Sequence, residues 1–391
     1  MKKIESRPRL YYLDNVKVLL TILVIVHHVG QAYGPTGGYW DFKSAYHLPL
    51  LGTFFTINAS FFMGLFFFIS AYFIPSSLEK HGVKKFVLDR LVRYGIPILF
   101  AFFVIVPLDQ YYSFVTWRGG PPISFFAYLS KAYFNFGEKP FSMISPSWPE
   151  LNFGHLWFVQ HLLAYSLLYA LFYQIGRIFR KSTVKKNPKN SVPGVGTILL
   201  YIVIAAYLTG IIRMTYPIDK WVPFLYFIQL EPAHLTSYIF SFVAGIMAYK
   251  NRWLDIISQK MAWILFLIGF LMTLFLVYIF ATKNQSLGQW FDESRFLYET
   301  IMGMTLSFGI VIIAKTLLNR STPLWKFLSQ NAYGAYIFHV PLVILLQSSL
   351  EKVPPHHGLL KFLLVSCLSV IASFGVTHLI RMVPGIKKVL G

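Results

Sequence analysis

Two adjacent histidines lie deep in the first apolar stretch of the chain, and their chemistry and position make them candidate functional residues. The stretch reads Asp14-Asn-Val-Lys17-Val-Leu-Leu-Thr-Ile-Leu-Val-Ile-Val-His27-His28. Lys17 and His28 are eleven residues apart, which places them on one helical face and about 16 Å apart along the axis. Ionisable side chains are costly inside a membrane helix and therefore indicate function. A cation at one end of this face and an imidazole at the other suggest a path for a long anionic ligand.

The sequence also allows simpler roles for these residues. Lys17 could only extend towards lipid headgroups, and His28 could only bond a neighbouring helix. Asp14 is predicted to be the N-cap of the helix. Consecutive helical residues point about 100° apart, so His27 and His28 are a poor pair of metal ligands and we predict no metal site.

Further polar candidates follow along the chain. Arg90 and Arg93 have the spacing of neighbours on one helical face, and two guanidinium groups there suit a phosphate. A basic flank that only orients the next helix explains them equally well. His155 opens a later apolar run, on the membrane side that His28 approaches. His339 lies inside another run, where a lone histidine is more often a packing group than a catalyst.

Composition indicates the elements that must position these residues. The chain has 391 residues, of which 56% are hydrophobic and only 13% charged, and its mean hydropathy is +0.57. These values predict an all-α, polytopic integral membrane protein. We expect a single domain over residues 1–391, with no cleaved signal peptide and no soluble extracytoplasmic domain. About ten transmembrane helices are predicted, at 15–34, 53–75, 94–112, 153–176, 196–215, 233–249, 261–281, 296–317, 331–350 and 359–380.

The distribution of positive charge predicts the orientation of these helices. The formal net charge is +20, and 25 of the 35 Lys and Arg residues fall on one side of the predicted spans. This asymmetry is the positive-inside pattern, and it predicts a protein of the cell membrane with both termini in the cytoplasm. Anionic lipid, rather than nucleic acid, is therefore the expected partner of the excess charge. We expect short interfacial helices and a lid over 113–152, and a polar cytoplasmic linker over 177–193.

Five short motifs resemble the acyltransferase 3 family of integral membrane acyltransferases, which includes O-antigen and peptidoglycan O-acetylases and glucan succinyltransferases. They extend over nearly the whole chain. The first is Leu13, Asp14 and Lys17 with His28 following after ten intervening residues. The others are Phe67-Phe68-Ile69-Ser70-Ala71-Tyr72, then Arg90 and Arg93 with Pro97, then His155-Leu156-Trp157-Phe158, and finally Tyr333, Tyr336 and His339.

The resemblance implies an activity and a site. It implies acyl transfer across the membrane from acyl-CoA to a hydroxyl of a carbohydrate or another acceptor, with His28 as general base or acyl carrier. Lys17, Arg90 and Arg93 would hold the phosphates of CoA. The residues expected to line the site are Asp14, His27, Ser70, His155, Trp157, Tyr336 and His339. Neither the acyl group, acetyl or succinyl, nor the oligomeric state follows from the sequence; a dimer is one possibility.

The chain departs from the family pattern at three positions. Lys17 replaces the usual arginine, which keeps the charge but loses the bidentate fork, and Ala71 replaces the usual glycine. Where many relatives carry a glutamate soon after the Leu-Trp-Phe element, this chain reads Gln160-His161. The last departure favours the glucan-succinyltransferase-like branch of the family.

Two other functional classes compete with the enzyme. A multi-pass transporter or flippase for a glycan, lipid or small metabolite would use intramembrane histidines and arginines as a relay or a substrate path. Transporters often contain two related halves with broken helices, and the sequence shows no such internal symmetry. A non-catalytic scaffold is the third alternative.

Overall fold

The computed structural model describes residues 9–35, 40–116, 119–134, 153–179, 193–225 and 227–390. The first elements in chain order are α1 (Tyr11–Gln31), α2 (Leu51–Tyr72), α3 (Ile74–Arg90), α4 (Ile96–Phe100), α5 (Val106–Thr116), α6 (Phe125–Tyr128), a 3₁₀ turn (Gly154–Leu156), α7 (Trp157–Phe179) and α8 (Val195–Thr215). They are followed by β1 (Val222–Phe224), β2 (Ile228–Leu230), α9 (Pro232–Lys250), α10 (Trp253–Ile256), α11 (Gln259–Thr282), α12 (Gln285–Leu317), α13 (Pro323–Leu350), α14 (Gly358–Ile380) and α15 (Ile386–Leu390). π-Helical turns cover Leu91–Gly95, Ala101–Ile105 and Leu129–Tyr133.

The prediction of an all-α, polytopic membrane protein is confirmed. Within the described ranges, nine helical segments are long and apolar enough to cross a membrane. The predicted span at 233–249 corresponds to α9, which has 19 residues but is too polar to be among those nine. The only described strands, β1 and β2, form an antiparallel hairpin with Pro223 opposite Gln229.

The helical segment that contains the third span begins before the span itself. The spans predicted at 53–75 and 94–112 leave a cytoplasmic connection between them, and in the structure helical residues fill it, in a segment from Ile74 to Thr116 that consists of separate helices. Gly82, with φ of +74°, produces a kink inside α3, and two π-turns interrupt the rest of the segment. Glycine tolerates a positive φ, so two helices meet at Gly82 inside the polar connection.

The predicted segments outside the membrane are described only in part. The expected interfacial helices correspond to α6 and the π-turn after it, at 125–133. Residues 135–152, where the remainder of the expected lid falls, and most of the expected 177–193 linker lie outside the described residues.

The hydrophobic core forms around α2. This helix packs against α9 on one side and α12 on the other, and both contacts depend on glycine. A Cβ at Gly245 of α9 would overlap the carbonyl oxygen of Phe68, and a Cβ at Gly303 of α12 would overlap that of Ser60. Small residues permit this close approach of helix backbones inside a membrane. A second cluster forms where α1 packs against α13 and α14.

A proline inside α13 connects this helix to the 3₁₀ turn. Pro341 has no backbone N–H, so the carbonyl of Ile337, four residues earlier, loses its helical hydrogen bond. The His155 side chain replaces that bond, because its Nε2 donates to the Ile337 carbonyl at 2.9 Å. The Tyr336 hydroxyl in turn donates to the backbone carbonyl of His155. These two contacts hold the start of α7 against the middle of α13.

We predict that labelling will show opposite sides for the 113–152 and 177–193 segments. Single cysteines there, in a Cys367→Ser background that removes the sole native cysteine, should react differently with a membrane-impermeant maleimide. In intact cells we expect labelling within 113–152 only, because the Lys and Arg residues concentrate on the opposite side. Permeabilised cells, in which both segments should react, provide the control. Reaction of both segments from the same side would contradict the predicted topology.

We also predict that His155 and Pro341 are energetically coupled. His155→Phe leaves the Ile337 carbonyl unsatisfied in a buried environment, which should cost about 1–3 kcal/mol of unfolding free energy. Pro341→Ala restores a backbone donor to that carbonyl, so it should stabilise the His155→Phe variant more than the wild type. Thermal unfolding of the four proteins in detergent completes the double-mutant cycle. An equal effect of Pro341→Ala in both backgrounds would show that the two residues act independently.

Candidate active site

A cavity of about 1200 Å³ lies where α1, α2, α5, α7, α8, α9, α11, α12 and α13 converge. His27 and His28, near the C-terminal end of α1, line it together with His155 and Tyr336. Arg213, Asp219, Glu231 and Arg295 line another part, which we call the charged wall. The cavity therefore combines a group of histidines with a group of paired charges.

Three histidines from distant parts of the chain form one cluster. The ring centroid of His339 lies 5.0 Å from that of His28 and 4.8 Å from that of His155. His339 is completely buried and His155 is 7% exposed. We call these three residues the histidine cluster. The structure thus places His339, which was expected to line the site, in direct contact with His28, although His339 itself is not among the residues that line the cavity.

Hydrogen bonds determine which nitrogens of the cluster are available. His339 Nδ1 donates to the Tyr336 carbonyl at 2.7 Å, and its Nε2 has no partner among the described residues. In a neutral imidazole that second nitrogen is a proton acceptor. His28 Nδ1 is also buried without a described partner. Such unsatisfied buried nitrogens are uncommon in folded proteins, and a catalytic role is one of the explanations for them.

His27 has a different environment from that of His28. Its ring lies 4.9 Å from the ring of Phe55 and 5.2 Å from that of Phe62, and its Nδ1 is 3.4 Å from the amide nitrogen of Asn58. Both histidines line the cavity, but only His28 contacts His339 directly. Of the two adjacent histidines, His28 is consequently the better candidate for chemistry.

A buried glutamine holds Trp40, whose ring lies beside that of His28. The Trp40 ring lies 5.2 Å from the His28 ring, and Trp40 Nε1 donates to Gln347 Oε1 at 3.0 Å. Gln347 is completely buried, and its Nε2 donates to the carbonyl of Val29 at 2.9 Å. This chain of contacts links the segment after α1 to α13 and restricts the position of His28.

The cations predicted to bind phosphate do not line the cavity. Lys17 pairs with Asp14 at 3.0 Å, and its ammonium lies over the Phe73 ring at 5.2 Å. The prediction that Asp14 is an N-cap is wrong, because α1 begins at Tyr11 with Leu10 as N-cap. Asp14 lies in the first turn and instead pairs with Lys17 and with Arg9, the latter at 2.9 Å.

Arg90 and Arg93 bracket the beginning of a π-turn rather than regular α-helix. The wider π-turn changes the angle between them, and their guanidinium groups lie over different rings. Arg90 lies over Phe86 at 4.8 Å and donates to the Tyr94 hydroxyl at 3.1 Å. Arg93 lies over Tyr333 at 5.4 Å. Both rest on aromatic faces, as arginine often does.

Ser70 and Trp157 have different positions relative to the cavity. Ser70 lies near the C-terminal end of α2 and does not line the cavity, whereas Trp157 does. The Trp157 ring stacks on Tyr238 at 5.3 Å and meets Trp221 at 5.6 Å. These three rings, all of which line the cavity, form the aromatic platform.

Gln160 and His161 hold the β-hairpin against α7. Gln160 Nε2 donates to the Phe227 carbonyl at 2.9 Å, and the amide of Gln229 donates to Gln160 Oε1 at 3.2 Å. His161 Nε2 donates to the Gln229 carbonyl at 3.0 Å. An ionised glutamate could not donate to the Phe227 carbonyl, so glutamine suits this contact.

The charged wall was not identified from the sequence. Glu299, behind the cavity surface, is 3% exposed and pairs with Arg213 at 2.9 Å and with Arg295 at 2.7 Å. Glu231 pairs with His234 at 2.9 Å. The sequence nevertheless contained a signal for these residues. Arg213 and Glu299 both fall inside predicted spans, where ionisable residues indicate function.

Asp219 and Glu231, the two carboxyl groups of the charged wall, lie outside the predicted spans. Their pKa values are shifted in opposite directions. Burial and the nearby Glu231 carboxylate raise the pKa of Asp219. Burial would also raise the pKa of Glu231, but the neighbouring His234 and the backbone amide of Asp219 outweigh it and hold that pKa below its ordinary value. The wall therefore retains one firmly ionised carboxylate beside one that binds a proton more readily.

Metal ligation has no candidate in the described part of the chain. Groups of three or more His, Cys, Asp or Glu side chains with suitable geometry are absent from those residues.

Comparison with known proteins identifies the family. The sequence model of the family described as "Acyltransferase domain" matches residues 10–378. The chain is 24% identical over 344 residues to glucans biosynthesis protein C of Escherichia coli K12, covering 86% of this chain and 82% of the relative. It is 23% identical over 345 residues to the protein of the same name from strain E24377A, with the same coverage.

No solved structure matches the chain, so the family rests on the sequence. The matched region includes α1 with both histidines, the 3₁₀ turn with His155 and the part of α13 that carries His339. The cavity and the histidine cluster thus lie within the region that defines the family, and the protein belongs to the acyltransferase 3 family of membrane acyltransferases.

Proposed function

We propose that the protein transfers an acyl group, acetyl or succinyl, from cytoplasmic acyl-CoA to a hydroxyl of a carbohydrate or another acceptor across the cell membrane. The observation that carries this proposal is the position of His28. It lines the cavity, it contacts His339 at 5.0 Å, and its Nδ1 is buried without a described partner. In a chain of an acyltransferase family, such an imidazole is the best candidate for the base.

The proposed reaction exchanges a thioester for an ester. The acceptor oxygen attacks the thioester carbonyl carbon, so a C–O bond forms and the C–S bond breaks. His28 takes the proton of the hydroxyl and returns it to the sulfur of the departing CoA. Alternatively, the acyl group first forms a bond to His28 and then moves to the hydroxyl. Both routes release free CoA and need no other reactant.

His339 supports either route by its placement. Its Nδ1 is committed to the Tyr336 carbonyl, which fixes the ring and leaves Nε2 as acceptor. A neutral, fixed imidazole beside His28 can stabilise a proton on His28 without competing as a second cation. His155, whose Nε2 donates to the Ile337 carbonyl, packs against His339. We therefore assign His339 and His155 positioning roles.

The donor would approach from the opposite end of α1. Lys17 lies eleven residues before His28 on the same helix, and Arg90 and Arg93 follow α3, whose flank is rich in Lys and Arg. The phosphates of CoA would bind these cations while the pantetheine arm extends towards His28. The carboxylate of Asp14 already pairs with Lys17, so a phosphate would join or replace that contact.

The acceptor would enter the cavity from the other side. The names of the relatives, glucans biosynthesis protein C, support a carbohydrate acceptor. The aromatic platform and the paired charges of the cavity are suited to a molecule with both apolar faces and many hydroxyl groups. Aromatic rings with few oriented polar groups are typical of small-molecule sites.

We predict that His28→Ala abolishes acyl transfer, whereas His27→Ala retains activity. Only His28 contacts His339, while His27 packs among phenylalanines. The measurement is release of free CoA from acetyl-CoA and succinyl-CoA by purified protein in lipid vesicles, with glucan acceptor present. His27→Ala is the matched control, because it removes an adjacent imidazole from the same cavity. Full activity of a correctly inserted His28→Ala protein would rule out the mechanism.

We predict that Lys17→Ala, Arg90→Ala and Arg93→Ala each weaken acyl-CoA binding about tenfold to a hundredfold, since a charge-assisted contact contributes roughly 1.5–3 kcal/mol. Lys17→Arg should be tolerated because it keeps the charge. Titration of the purified variants with acyl-CoA measures the dissociation constant directly.

Lys85→Ala is the matched control for this series. Lys85 is an exposed cation of α3 that pairs with Asp89 at 3.2 Å, so its loss changes the net charge equally without touching the proposed phosphate site. Unchanged acyl-CoA affinity of the Arg90 and Arg93 variants, with normal membrane insertion, would show that these arginines only orient the helix.

A further inference from the structure

Two arginines of the charged wall share one buried carboxylate. Arg213 lies near the C-terminal end of α8 and Arg295 in the first half of α12, and both line the cavity. Arg213 Nη2 is 2.9 Å from Glu299 Oε2, and Arg295 Nε is 2.7 Å from Glu299 Oε1. Glu299 is 3% exposed and is not among the residues that line the cavity. One carboxylate therefore holds both guanidinium groups from the protein side of the cavity surface.

This group of three side chains has an excess of positive charge. Arginine stays ionised in proteins, so two cations face the single carboxylate of Glu299. One unit of positive charge is left unbalanced. A charge that is taken out of water needs an opposite charge and hydrogen bonds to be tolerated. The chemistry of the group therefore attracts an anion into the cavity.

Both arginines have donors that the carboxylate does not use. Arg213 Nε donates to the Ala233 carbonyl at 3.1 Å, whereas its Nη1 is buried without a partner among the described residues. A buried donor without an acceptor is costly. Arg295 reaches Glu299 through Nε, which leaves its two terminal nitrogens outside that contact, and its side chain is 34% exposed. A molecule bound in the cavity can accept hydrogen bonds from these donors.

The neighbouring carboxyl groups do not cancel this charge. Glu231 is already engaged by His234 at 2.9 Å. Burial and the Glu231 carboxylate raise the pKa of Asp219, so Asp219 loses its proton less readily than a free aspartate. Asp292 is exposed, and solvent and salt screen its charge. The remaining carboxyl groups of the cavity lining belong to α5 and to the segment after α1, not to the helices that carry the arginines.

We propose that Arg213 and Arg295 form a binding site for a carboxylate that belongs to one of the two substrates. A carboxylate matches the planar guanidinium group with paired hydrogen bonds, and its single negative charge balances the excess charge of the group. A phosphate monoester, with a charge of about −1.5 to −2 at pH 7, would exceed it. The carboxylate is either the free end of a dicarboxylic acyl group such as succinyl or a uronate of the acceptor. This inference rests on the proposed acyl transfer and assigns the cavity an acidic substrate.

Two pairs of probes distinguish the two sources of the carboxylate. Succinyl-CoA is compared with acetyl-CoA, and a linear tetra-glucuronate with a linear glucose tetrasaccharide. Isothermal titration calorimetry of the purified full-length protein in detergent at pH 7 measures each dissociation constant. We expect one carboxylate-bearing probe to bind about tenfold more tightly than its counterpart, the equivalent of one charge-assisted contact. The pair that shows this preference identifies the substrate that carries the carboxylate.

Arg213→Gln and Arg295→Gln should each remove this preference, because each deletes one of the two cations. If Arg213→Gln does not fold, Arg295→Gln carries the test, since the Arg295 side chain is the more exposed of the two. Arg252→Gln is the matched control. Arg252 is half exposed, pairs with Asp255 at 3.1 Å and does not line the cavity, so its loss changes the net charge equally and should keep the preference.

Three results would overturn the carboxylate site. They are the absence of a preference in both pairs, which includes binding of no probe, a preference that folded Arg295→Gln retains, and an equal loss of preference in Arg252→Gln. Release of CoA by the protein in lipid vesicles is measured separately and tests the proposed function. A carboxylate preference without CoA release would contradict that function while supporting the site, whereas CoA release without any preference would contradict the site alone.

Discussion

The absence of water in the bilayer core is the constraint on which this structure depends. Every buried backbone group there needs a partner within the protein. Pro341 breaks that rule locally by leaving the Ile337 carbonyl without a backbone donor, and His155 meets the need. A histidine from the 3₁₀ turn before α7 is thereby attached to α13 at Ile337, two residues before His339. The contact that repairs the helix also assembles two members of the histidine cluster.

The same constraint explains the separation of charges within the protein. Lys17, Arg90 and Arg93 each rest on an aromatic ring, at Phe73, Phe86 and Tyr333 respectively. Arg213 and Arg295 instead share the buried carboxylate of Glu299. A buried charge needs an opposite charge and hydrogen bonds to be tolerated, whereas a cation near the end of a helix can reach water. The arginines that share Glu299 therefore line the cavity, whereas the cations that rest on aromatic rings do not.

Close contacts between helices preserve this arrangement. Gly245 and Gly303 let α9 and α12 approach the backbone of α2 from two sides, which brings the N-terminal ends of α9 and α12 together at the charged wall. On the other side of the cavity, Gln347 connects Trp40 to the carbonyl of Val29, so the segment after α1 is held beside His28. Gln160 and His161 fix the hairpin in the same way. Residues to which we assign no chemical role thus determine where the candidate site residues lie.

The sequence alone determined the features that depend on local pattern. Apolar runs established an all-α membrane protein, and helical spacing placed Lys17 and His28 on one face of α1. Motifs identified His155 and His339 as candidates but could not bring them together. Only the tertiary structure decided that His339 contacts His28 and that Glu299 joins Arg213 to Arg295. The physical reason is that helical periodicity acts over a few residues, whereas these contacts depend on packing between helices that lie far apart in the chain.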